Sequence, residues 1–204
     1  QILFTSGDNI VFTYNTGTGP TRLYSMTITG AAAGAPVEIS GTVPSGSPTG
    51  VQMVLVSPRK DMVLFVGDFL TAGTQEIFMV PVGGGTRTRL NGSLTGRTLS
   101  TASIKWMPDQ SGIVYETADF TTGQQREINF STAVAVPVIT RLNGVVPAGR
   151  NGVISNTARL SNTGTHIFYK SDEASATGQQ EVYVVSRIGG ALSAQAGLNG
   201  ATVP

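Results

Sequence analysis

The sequence repeats itself with a period of about fifty residues, and this constrains the fold more than any other feature. Three copies contain a strand-like segment that opens with Glu-Ile or Glu-Val, and they close on Leu-Asn-Gly. A weaker first copy closes on Glu-Ile-Ser-Gly. The closing glycines are Gly41, Gly92, Gly144 and Gly200, which are separated by 51, 52 and 56 residues. A fixed period of this length indicates supersecondary units that stack on one another.

Each repeat is predicted to form four short strands, because short apolar runs alternate with turns rich in Gly, Pro, Ser and Asn. No segment has a sustained helical spacing of apolar residues, so no helix is predicted. The first strand of the third repeat is expected at 103–107 and that of the fourth at 153–160, whereas 30–35 is interpreted as a loop. We expect one domain over 1–204, with repeats at 1–41, 51–92, 102–144 and 153–200.

Composition narrows the classes of partner. Charged residues make up 12% of the chain and the net charge is +1, with basic residues scattered, so no nucleic acid is expected to bind. There is no cysteine, which excludes disulfides, thiolate metal sites and a cysteine nucleophile. No run of 18 apolar residues occurs, so no membrane span is expected. The chain starts at Gln1 without a signal-like segment, and we expect a mature or trimmed product.

A four-stranded unit of this length is the blade of a β-propeller. The pattern here resembles the TolB-like repeat, a bacterial relative of WD-type blades. The matching segments are Ser57-Pro58, Met107-Pro108-Asp109, Glu76-Ile77-Phe78, Gly83-Gly84 and Arg89-Leu90. The resemblance covers nearly the whole chain, and it departs from the family pattern where Asn91, Asn143 and Asn199 replace the usual threonine.

This resemblance implies an all-β propeller of four four-stranded antiparallel blades, either closed or part of a larger ring. It also implies an extracytoplasmic protein, periplasmic or secreted. One blade cannot bury its apolar faces alone, so recurring apolar positions are expected to pack between blades. The Asn-Gly pairs are expected to leave the fourth strand through positive φ. The predicted core consists of Phe65, Ile77, Phe78, Ile113, Tyr115, Ile128, Phe168 and Val182.

No catalytic constellation is visible, and we expect no enzymatic activity, catalytic residue or cofactor. His166 is the one histidine, and it starts a predicted strand, which favours a structural role. No Gly-x-Ser-x-Gly elbow for a hydrolase nucleophile is present. The glycines at 83–85 lack the following Lys-Ser or Lys-Thr of a phosphate loop, so a hairpin turn is predicted there.

Three glutamates recur at the start of the third strand of their repeats: Glu76, Glu127 and Glu181. They could form a ring of cation ligands, or each could accept hydrogen bonds within its own blade. One acid per blade is sparse beside the 6–8 oxygens that Ca²⁺ prefers, which favours the second interpretation. No metal site is therefore assigned to them.

Further acidic residues, Asp68, Asp119 and Asp172, are predicted at similar places after the second strands. Asp172 and Glu173 form the one adjacent acidic pair, and whether Ca²⁺ binds near Asp172 is left open. Trp106, the sole tryptophan, is expected to pack between blades. The motifs at Asn91 and Asn129 fit the glycosylation pattern, but neither is expected to be used.

Three functions from different classes fit these features. The first is a binding or assembly module for a protein or a glycan. The second is a structural subunit that associates into larger rings or fibres, and the third is the non-catalytic propeller of a larger peptidase or lyase. No strand remains in the sequence to latch the ring, so we expect a homo-oligomer, such as two chains sharing eight blades, or a piece of a longer propeller.

Overall fold

The computed structural model describes residues 2–5, 7–122, 124–175 and 177–198. Within these ranges all the regular secondary structure is β-strand, and the strands pair antiparallel into four sheets, one for each repeat. This confirms the all-β class and the four four-stranded blades. The chain forms two compact units, Gln1–Gly92 with Ala133–Pro137 (unit 1) and Ser93–Thr132 with Val138–Pro204 (unit 2). Unit 1 contains blades 1 and 2, and unit 2 contains blades 3 and 4.

Blade 1 consists of β1 (Ile2–Phe4), β2 (Asn9–Tyr14), β3 (Arg22–Thr29), β4 (Ala32–Ala33) and β5 (Val37–Glu38). Its fourth strand is broken into β4 and β5, which both pair with β3. The prediction of a loop at 30–35 is therefore wrong for Ala32–Ala33. Gly30 adopts a φ of 60° and closes a tight hairpin that pairs Thr29 with Ala32.

Blade 2 consists of β6 (Val51–Val56), β7 (Met62–Gly67), β8 (Glu76–Pro81) and β9 (Thr88–Arg89). Its strands pair in sequence order. Phe65 lies opposite Phe78 in the β7–β8 pair, on the face that packs into the core of unit 1.

Blade 3 consists of β10 (Arg97–Trp106), β11 (Gly112–Asp119), β12 (Glu127–Thr132) and β13 (Ile139–Arg141). β10 begins at Arg97 rather than in the predicted segment 103–107. The register shifts between Ser100 and Lys105, which marks a bulge. Within it, the Ser103 hydroxyl accepts the N–H of Glu116 at 2.9 Å, so a side chain replaces the missing backbone acceptor and the strand continues.

Blade 4 consists of β14 (Arg159–Leu160), β15 (His166–Ser171), β16 (Glu181–Ile188), β17 (Ala191–Leu192) and β18 (Ala196–Gly197). The predicted strand at 153–160 is wrong before Arg159. Val153 forms an isolated bridge with Ser171, and Asn156 then turns the chain with a φ of 58°. The predicted closing residues Asn199 and Gly200, and the segment to Pro204, lie outside the described residues.

Blades 2, 3 and 4 share one turn between their first and second strands. The N–H at the fourth position of the turn donates to the carbonyl at the first at 2.9 Å in all three. The donor has positive φ: 62° at Lys60, 63° at Gln110 and 70° at Gly164. Proline at 58 and 108 fixes φ at the second position of this turn, which accounts for the Ser-Pro and Met-Pro signals.

Each unit has one apolar core between its two blades. In unit 1 it joins Val11, Leu23 and Ile39 of blade 1 to the face of blade 2 that carries Phe65 and Phe78. In unit 2 it contains Met107, Val114, Ile128, Phe130, Leu142, Val153, Ala158, Ile167, Tyr169, Tyr183 and Val185. Stacked blades therefore bury the recurring apolar positions, as expected for a repeat array.

Six of the eight predicted core residues are buried: Phe65, Ile77, Phe78, Ile113, Tyr115 and Ile128. The prediction is wrong for Phe168 and Val182, which are half-buried. Phe168 pairs with Val184 and Val182 with Lys170, so both residues lie on the face of blade 4 opposite the core of unit 2. Ile167, Tyr169, Tyr183 and Val185 fill that core from the other face.

Candidate functional site

The antiparallel order places two kinds of loop at opposite ends of each blade. Hairpins between second and third strands lie at one end, together with the linkers that lead into the next blade; we call this end the loop edge. Hairpins between first and second strands, and between third and fourth strands, lie at the other end. Loops carried on a rigid sheet scaffold are common places for binding residues.

In unit 1 the loop edge is built from residues 15–21, 42–50 and 69–75. The linker is tied to the start of β3 by a parallel bridge between Thr21 and Gly50. The N–H of Val51 donates to the carbonyl of Thr21 at 2.9 Å. Fully buried Asp68 accepts the N–H of Gly50 on Oδ1 at 2.7 Å. A carboxylate and a backbone bridge thus fix these loops relative to each other.

Unit 2 builds the same arrangement from the described residues of 120–126, 145–152 and 173–180, which leave out 123 and 176. Arg126 and Gly152 form the parallel bridge, and the N–H of Val153 donates to the carbonyl of Arg126 at 3.1 Å. Buried Asp172 accepts the N–H of Gly152 on Oδ1 at 2.7 Å and that of Asn151 on Oδ2 at 3.2 Å. Asp68 and Asp172 are therefore structural equivalents.

Asp119 does not share this role, so the similarity predicted for Asp68, Asp119 and Asp172 is wrong for one member. Glu116 pairs with Ile128 as Val66 pairs with Ile77, which places Ala118 at the position of Asp68 and shifts Asp119 by one residue. Oδ1 of Asp119 accepts N–H groups of the exposed turn that follows, from Thr121 at 3.0 Å and Thr122 at 2.9 Å.

The exposed side chains of the loop edge are mostly uncharged. Residues 15–21, 42–50 and 69–75 contain no Asp, Glu, Lys, Arg or His. In unit 2 the three segments contain two arginines, Arg126 and Arg150, and one glutamate, which is buried. Hydroxyl and amide groups predominate, and large apolar side chains stand out among them: Leu70 at 50% exposure, Phe120 at 75% and Val145 at 83%, with Tyr14, the last residue of β2, at 56% beside loop 15–21.

Leu70 and Phe120 occupy the same repeat position, as the pairings of Val66 with Ile77 and of Glu116 with Ile128 show. In unit 1 the opposite end of the blades is charged by contrast, with Arg59, Lys60 and Asp61 in one turn. The opposite end of blades 3 and 4 carries Asp109, paired with Arg187 at 2.6 Å, and exposes Val136 and Ile188. The contrast between the two ends makes the loop edge of unit 1 a candidate binding surface, and the loop edge of unit 2 is a second one by its equivalent loops and exposed Phe120.

The Asn of the repeat motif has a role that sequence reasoning missed. Oδ1 of Asn91 accepts the N–H of Ile77 at 2.6 Å, and Oδ1 of Asn143 accepts that of Ile128 at 2.9 Å. The hydroxyl of Ser40 accepts the N–H of Leu23 at 3.1 Å in blade 1. The expected positive φ at these Asn-Gly pairs is wrong for the two described pairs, because the asparagine side chain, rather than a left-handed turn, ends the strand.

The recurring glutamates form contacts within their own blades. Oε1 of Glu76 lies 3.0 Å from Arg89, and Oε1 of Glu127 lies 3.1 Å from Arg141. Blade 1 has the reverse order, with an arginine on the third strand and a glutamate on the fourth: Arg22 and Glu38 lie 3.0 Å apart.

Blade 4 has Gly197 where the arginine would stand, opposite Tyr183. There the Tyr183 hydroxyl donates to Oε2 of Glu181 at 2.7 Å. Among the described residues no group of three His, Cys, Asp or Glu side chains converges as metal ligands would.

The remaining candidates have structural surroundings. Nδ1 of exposed His166 lies 3.0 Å from the Thr165 hydroxyl, and the ring stacks on Phe168. Pro81 and Gly84 close a β-turn at 2.9 Å in the glycine-rich segment. Trp106 is half-buried on β10. The glycosylation-pattern residues Asn91 and Asn129 are both buried, at 2% and 8% exposure.

Glu116 is fully buried in unit 2, and both of its oxygens accept the N–H of Asn156, at 3.1 and 3.0 Å. Burial raises the pKa of the Glu116 carboxyl, although the N–H of Asn156 and the charges of Arg126 and Lys105 oppose that shift. This carboxylate ties β11 to the segment that precedes β14.

Comparison with known proteins identifies the architecture. No family model matches the sequence, and no curated protein matches it. Solved structures do match. One is assigned as a TolB from Agrobacterium tumefaciens, with 16% identity and a TM-score of 0.50 over 91% of this chain and 60% of that one. Another is assigned as a dipeptidyl aminopeptidase IV from Bacteroides ovatus, with 12% identity and a TM-score of 0.53 over 89% of this chain and 34% of that one.

The third is the β-propeller domain of the Trilobed protease from Pyrococcus furiosus, with 11% identity and a TM-score of 0.50 over 95% of this chain and 55% of that one. The fold is a TolB-like β-propeller. At these identities the likeness concerns the fold, and a propeller fold supports many functions. The propeller described here spans between about a third and three fifths of the length of these structures. No helix in its described residues is long and apolar enough to cross a membrane.

Proposed function

We propose that this propeller is a non-catalytic binding and assembly module that engages a protein or a glycan through the loop edge of one of its units. The observation that supports this most is the contrast in chemistry between the two ends of the blades of unit 1. The loop edge of unit 1 exposes Tyr14 and Leu70 among uncharged polar groups, whereas Arg59, Lys60 and Asp61 lie at the other end. The equivalent loop edge of unit 2 exposes Phe120 and Val145. Cores of protein interfaces are depleted in charge and enriched in aromatic side chains.

The arrangement of the loops also suits binding. Asp68 in unit 1 and Asp172 in unit 2 fix a linker glycine at 2.7 Å, and parallel bridges fix the start of the neighbouring third strand. The loops of each unit are therefore fixed in position before a ligand binds. Preorganised loops lose less conformational freedom on binding, which favours affinity.

The proposal includes an extracytoplasmic location and the absence of enzymatic activity. The lack of cysteine and the likeness in fold to a TolB support the location. His166 contacts a threonine hydroxyl and a phenylalanine ring, which supports a structural role. A His166→Ala variant should therefore retain every activity of the parent chain.

A second candidate function is the propeller of a larger peptidase. It is favoured by the match in fold to the propeller of a protease and to a protein assigned as a dipeptidyl aminopeptidase, of which the chain covers 55% and 34%. A hydrolase domain encoded beside this segment in the parent gene would favour that candidate. Self-association is tested by light scattering, where a compact 21.2 kDa monomer that is stable on dilution would exclude it.

The loop edge is tested by ligand selection followed by substitution. Peptide-display and glycan-array screens of the 204-residue chain supply a binder, and two variants then remove loop-edge side chains: Tyr14→Ser with Leu70→Ser, and Phe120→Ser. Matched controls remove Val136 and Ile188, which are 82% and 78% exposed on hairpins between third and fourth strands. The proposal expects affinity to fall about tenfold or more in a loop-edge variant, while Val136→Ser and Ile188→Ser bind normally. The reverse pattern would contradict it.

A further inference from the structure

The two units pair their blades through equivalent residues, but they differ in one charge. We define the blade joint of unit 1 by Gly41, Phe65, Phe69, Phe78 and Arg87. Pairing shows which residues correspond in unit 2: Phe65 lies opposite Phe78 as Tyr169 lies opposite Tyr183, and Phe78 lies opposite Arg89 as Tyr183 lies opposite Gly197. The blade joint of unit 2 is therefore Gly144, Tyr169, Glu173, Tyr183 and Gln195.

The joint of unit 1 contains its own cation. The guanidinium of Arg87 lies 5.2 and 5.1 Å from the ring centres of Phe69 and Phe78. It donates to the carbonyls of Ser40 at 2.8 Å, Thr42 at 3.2 Å and Phe69 at 3.0 Å. Two ring faces and three carbonyl oxygens thus surround one guanidinium, and cations are attracted to both kinds of group.

The joint of unit 2 keeps the aromatic pair and lacks this cation. Tyr169 and Tyr183 stack with ring centres 5.5 Å apart, close to the 5.3 Å between Phe65 and Phe78. Arg87 is replaced by the neutral Gln195, and Phe69 is replaced by Glu173. Gln195 accepts the N–H of Gly144 at 2.9 Å and also contacts the Tyr169 hydroxyl.

Glu173 is the unexplained group at this joint. It is 6% exposed, and both of its carboxylate oxygens are buried without a hydrogen-bond partner among the described residues. A buried carboxylate is costly unless an opposite charge or hydrogen-bond donors compensate it. Burial first and the Glu173 charge second raise the pKa of Tyr169, so this phenol stays neutral beside the carboxylate.

Gly41 and Gly144 locate the same point in the two units. A Cβ built on Gly41 would lie 3.1 Å from Nη1 of Arg87. A Cβ built on Gly144 would lie 3.1 Å from Nε2 of Gln195 and 3.6 Å from Oε1 of Glu173. The free carboxylate of unit 2 therefore reaches the region that the guanidinium fills in unit 1.

Arg141 lies near this joint, since its charge acts on Tyr169, but it forms its ion pair with Glu127. Its Nη1 lies 3.1 Å from Glu127, its Nε donates to the carbonyl of Asn143 at 3.1 Å, and its Nη2 donates to the carbonyl of Gly144. Arg22 has the matching role in unit 1, where it contacts Glu38 and donates to the carbonyl of Gly41 at 3.1 Å. Both joints have that paired arginine, and Arg87 is an additional cation in unit 1.

We propose that the blade joint of unit 2 is a binding site for a guanidinium group, held by the Glu173 carboxylate against the Tyr183 ring. Gln195 and Gly144 are half-buried, and their neighbours Ala194 and Val145 are exposed, so the joint opens to solvent at Gln195. The ligand enters by displacing the Gln195 side chain. The inference rests on the joint itself and is independent of the loop edge.

Binding is tested by calorimetry on the 204-residue chain with Nα-acetyl-arginine methylamide, and the matching citrulline compound is the uncharged control. The arginine compound should bind and the citrulline compound should not. Glu173→Gln should weaken binding about tenfold or more. Asp119→Asn is the matched variant, because Asp119 stands at the repeat position of Glu173 but is half-buried and bonded to its own turn. It should bind normally.

Two further measurements distinguish an arginine side chain of a protein partner from a small guanidinium compound as the ligand. Tighter binding of a blocked Gly-Arg-Gly peptide assigns the site to an arginine side chain of a protein partner, and equal binding assigns it to a small guanidinium compound. Equal binding of citrulline, retained affinity in Glu173→Gln, or binding of Ca²⁺ or Na⁺ in place of the arginine compound would each overturn the proposal. Loss of loop-edge binding in Phe120→Ser leaves these results unaffected.

A stability measurement gives an independent test. Gln195→Arg places a guanidinium in the joint as Arg87 does in unit 1. It should remove binding of the arginine compound and raise Tm by about 2–4 °C for a chain of this size. Adding Glu173→Gln should cancel that rise. A Gln195→Arg protein that folds, melts below the parent and still binds the arginine compound would count against the proposal.

Discussion

Asp172 accepts the backbone N–H of Gly152 at 2.7 Å, and Asp68 forms the same bond with Gly50 at the same distance. Removing either acceptor leaves a buried N–H without a partner, which costs about 1–3 kcal/mol. We expect Asp68→Ala and Asp172→Ala each to lower the free energy of unfolding by that amount in urea titrations. Asp119→Ala removes contacts of an exposed turn and should have a smaller effect. Equal losses in all three variants would contradict the equivalence of Asp68 and Asp172.

The strand-ending asparagine gives a prediction with a control inside the repeat. Asn91→Ala leaves the buried N–H of Ile77 unpaired and should destabilise the chain by about 1–3 kcal/mol. Asn91→Ser should retain more of that stability, because Ser40 accepts the corresponding N–H of Leu23 in blade 1. Chemical denaturation of the two variants checks this, and a serine variant as unstable as the alanine variant would show that the acceptor is not what matters.

Gly50 has a steric requirement in addition to its positive φ of 67°. A Cβ there would overlap the carbonyl oxygen of Thr21, whereas one on Gly46, at a φ of 82°, would meet nothing within 4 Å. A left-handed conformation costs a residue with a side chain about 1–2 kcal/mol, and overpacking adds about 1–3 kcal/mol. Gly50→Ala should therefore melt well below Gly46→Ala in calorimetry. Similar Tm values for the two variants would contradict a steric requirement for glycine at the Thr21–Gly50 bridge.

The aromatic core of unit 1 should be far more sensitive to truncation than the loop edge. Phe78 is buried against Phe65 and Phe69, so Phe78→Ala should cost about 3–5 kcal/mol in free energy of unfolding. Phe120, 75% exposed, should change stability by less than about 0.5 kcal/mol on the same substitution. A Phe78→Ala loss below about 1 kcal/mol would contradict its position in the core.

Glu116 gives a pH dependence whose sign follows from its surroundings. Because burial raises its folded pKa, its contribution to stability is complete below the pKa of the unfolded state and is lost as pH rises through the folded value. We expect the parent chain to lose stability relative to Glu116→Gln as pH increases from about 4, the ordinary range for glutamate. Glutamine still offers an oxygen to the N–H of Asn156. Parallel curves of unfolding free energy against pH for the two proteins would rule this out.

Periodicity predicted the number of blades and most of the core, because burial between stacked blades repeats at each copy. It failed for Phe168 and Val182, since the repeat places them on a face of blade 4 that is only half-buried. The predicted strand boundaries were wrong at two local irregularities. The Ser103 hydroxyl accepts a backbone N–H at a bulge, so β10 continues through it, and the positive φ of Asn156 turns the chain before β14 begins.

The candidate sites were harder to predict because they depend on pairing register. Glu76 and Arg89 are recognisable in the sequence, but their contact follows only once Phe78 is placed opposite Arg89. Arg87 and Gln195 occupy the same position in the two joints, but they differ in residue type, so their identity does not reveal that they correspond. Their spacing could have shown it, because each lies three residues before the Leu of its Leu-Asn-Gly motif.

The reversed ion pair of blade 1 bears on misfolding during synthesis. Neighbouring repeats of similar sequence can exchange strands while the chain is incomplete, which is a characteristic failure of repeat proteins. If β5 paired with β8 in the native register, Glu38 would lie opposite Phe78 and diagonal to Glu76, and if β9 paired with β3, Arg89 would lie opposite Tyr24 and diagonal to Arg22. Long side chains at diagonal cross-strand positions are within reach of each other, so these like charges would disfavour the exchanged pairing. The swap of arginine and glutamate thus gives adjacent repeats of unit 1 incompatible strand edges, and each fourth strand is directed to its own blade.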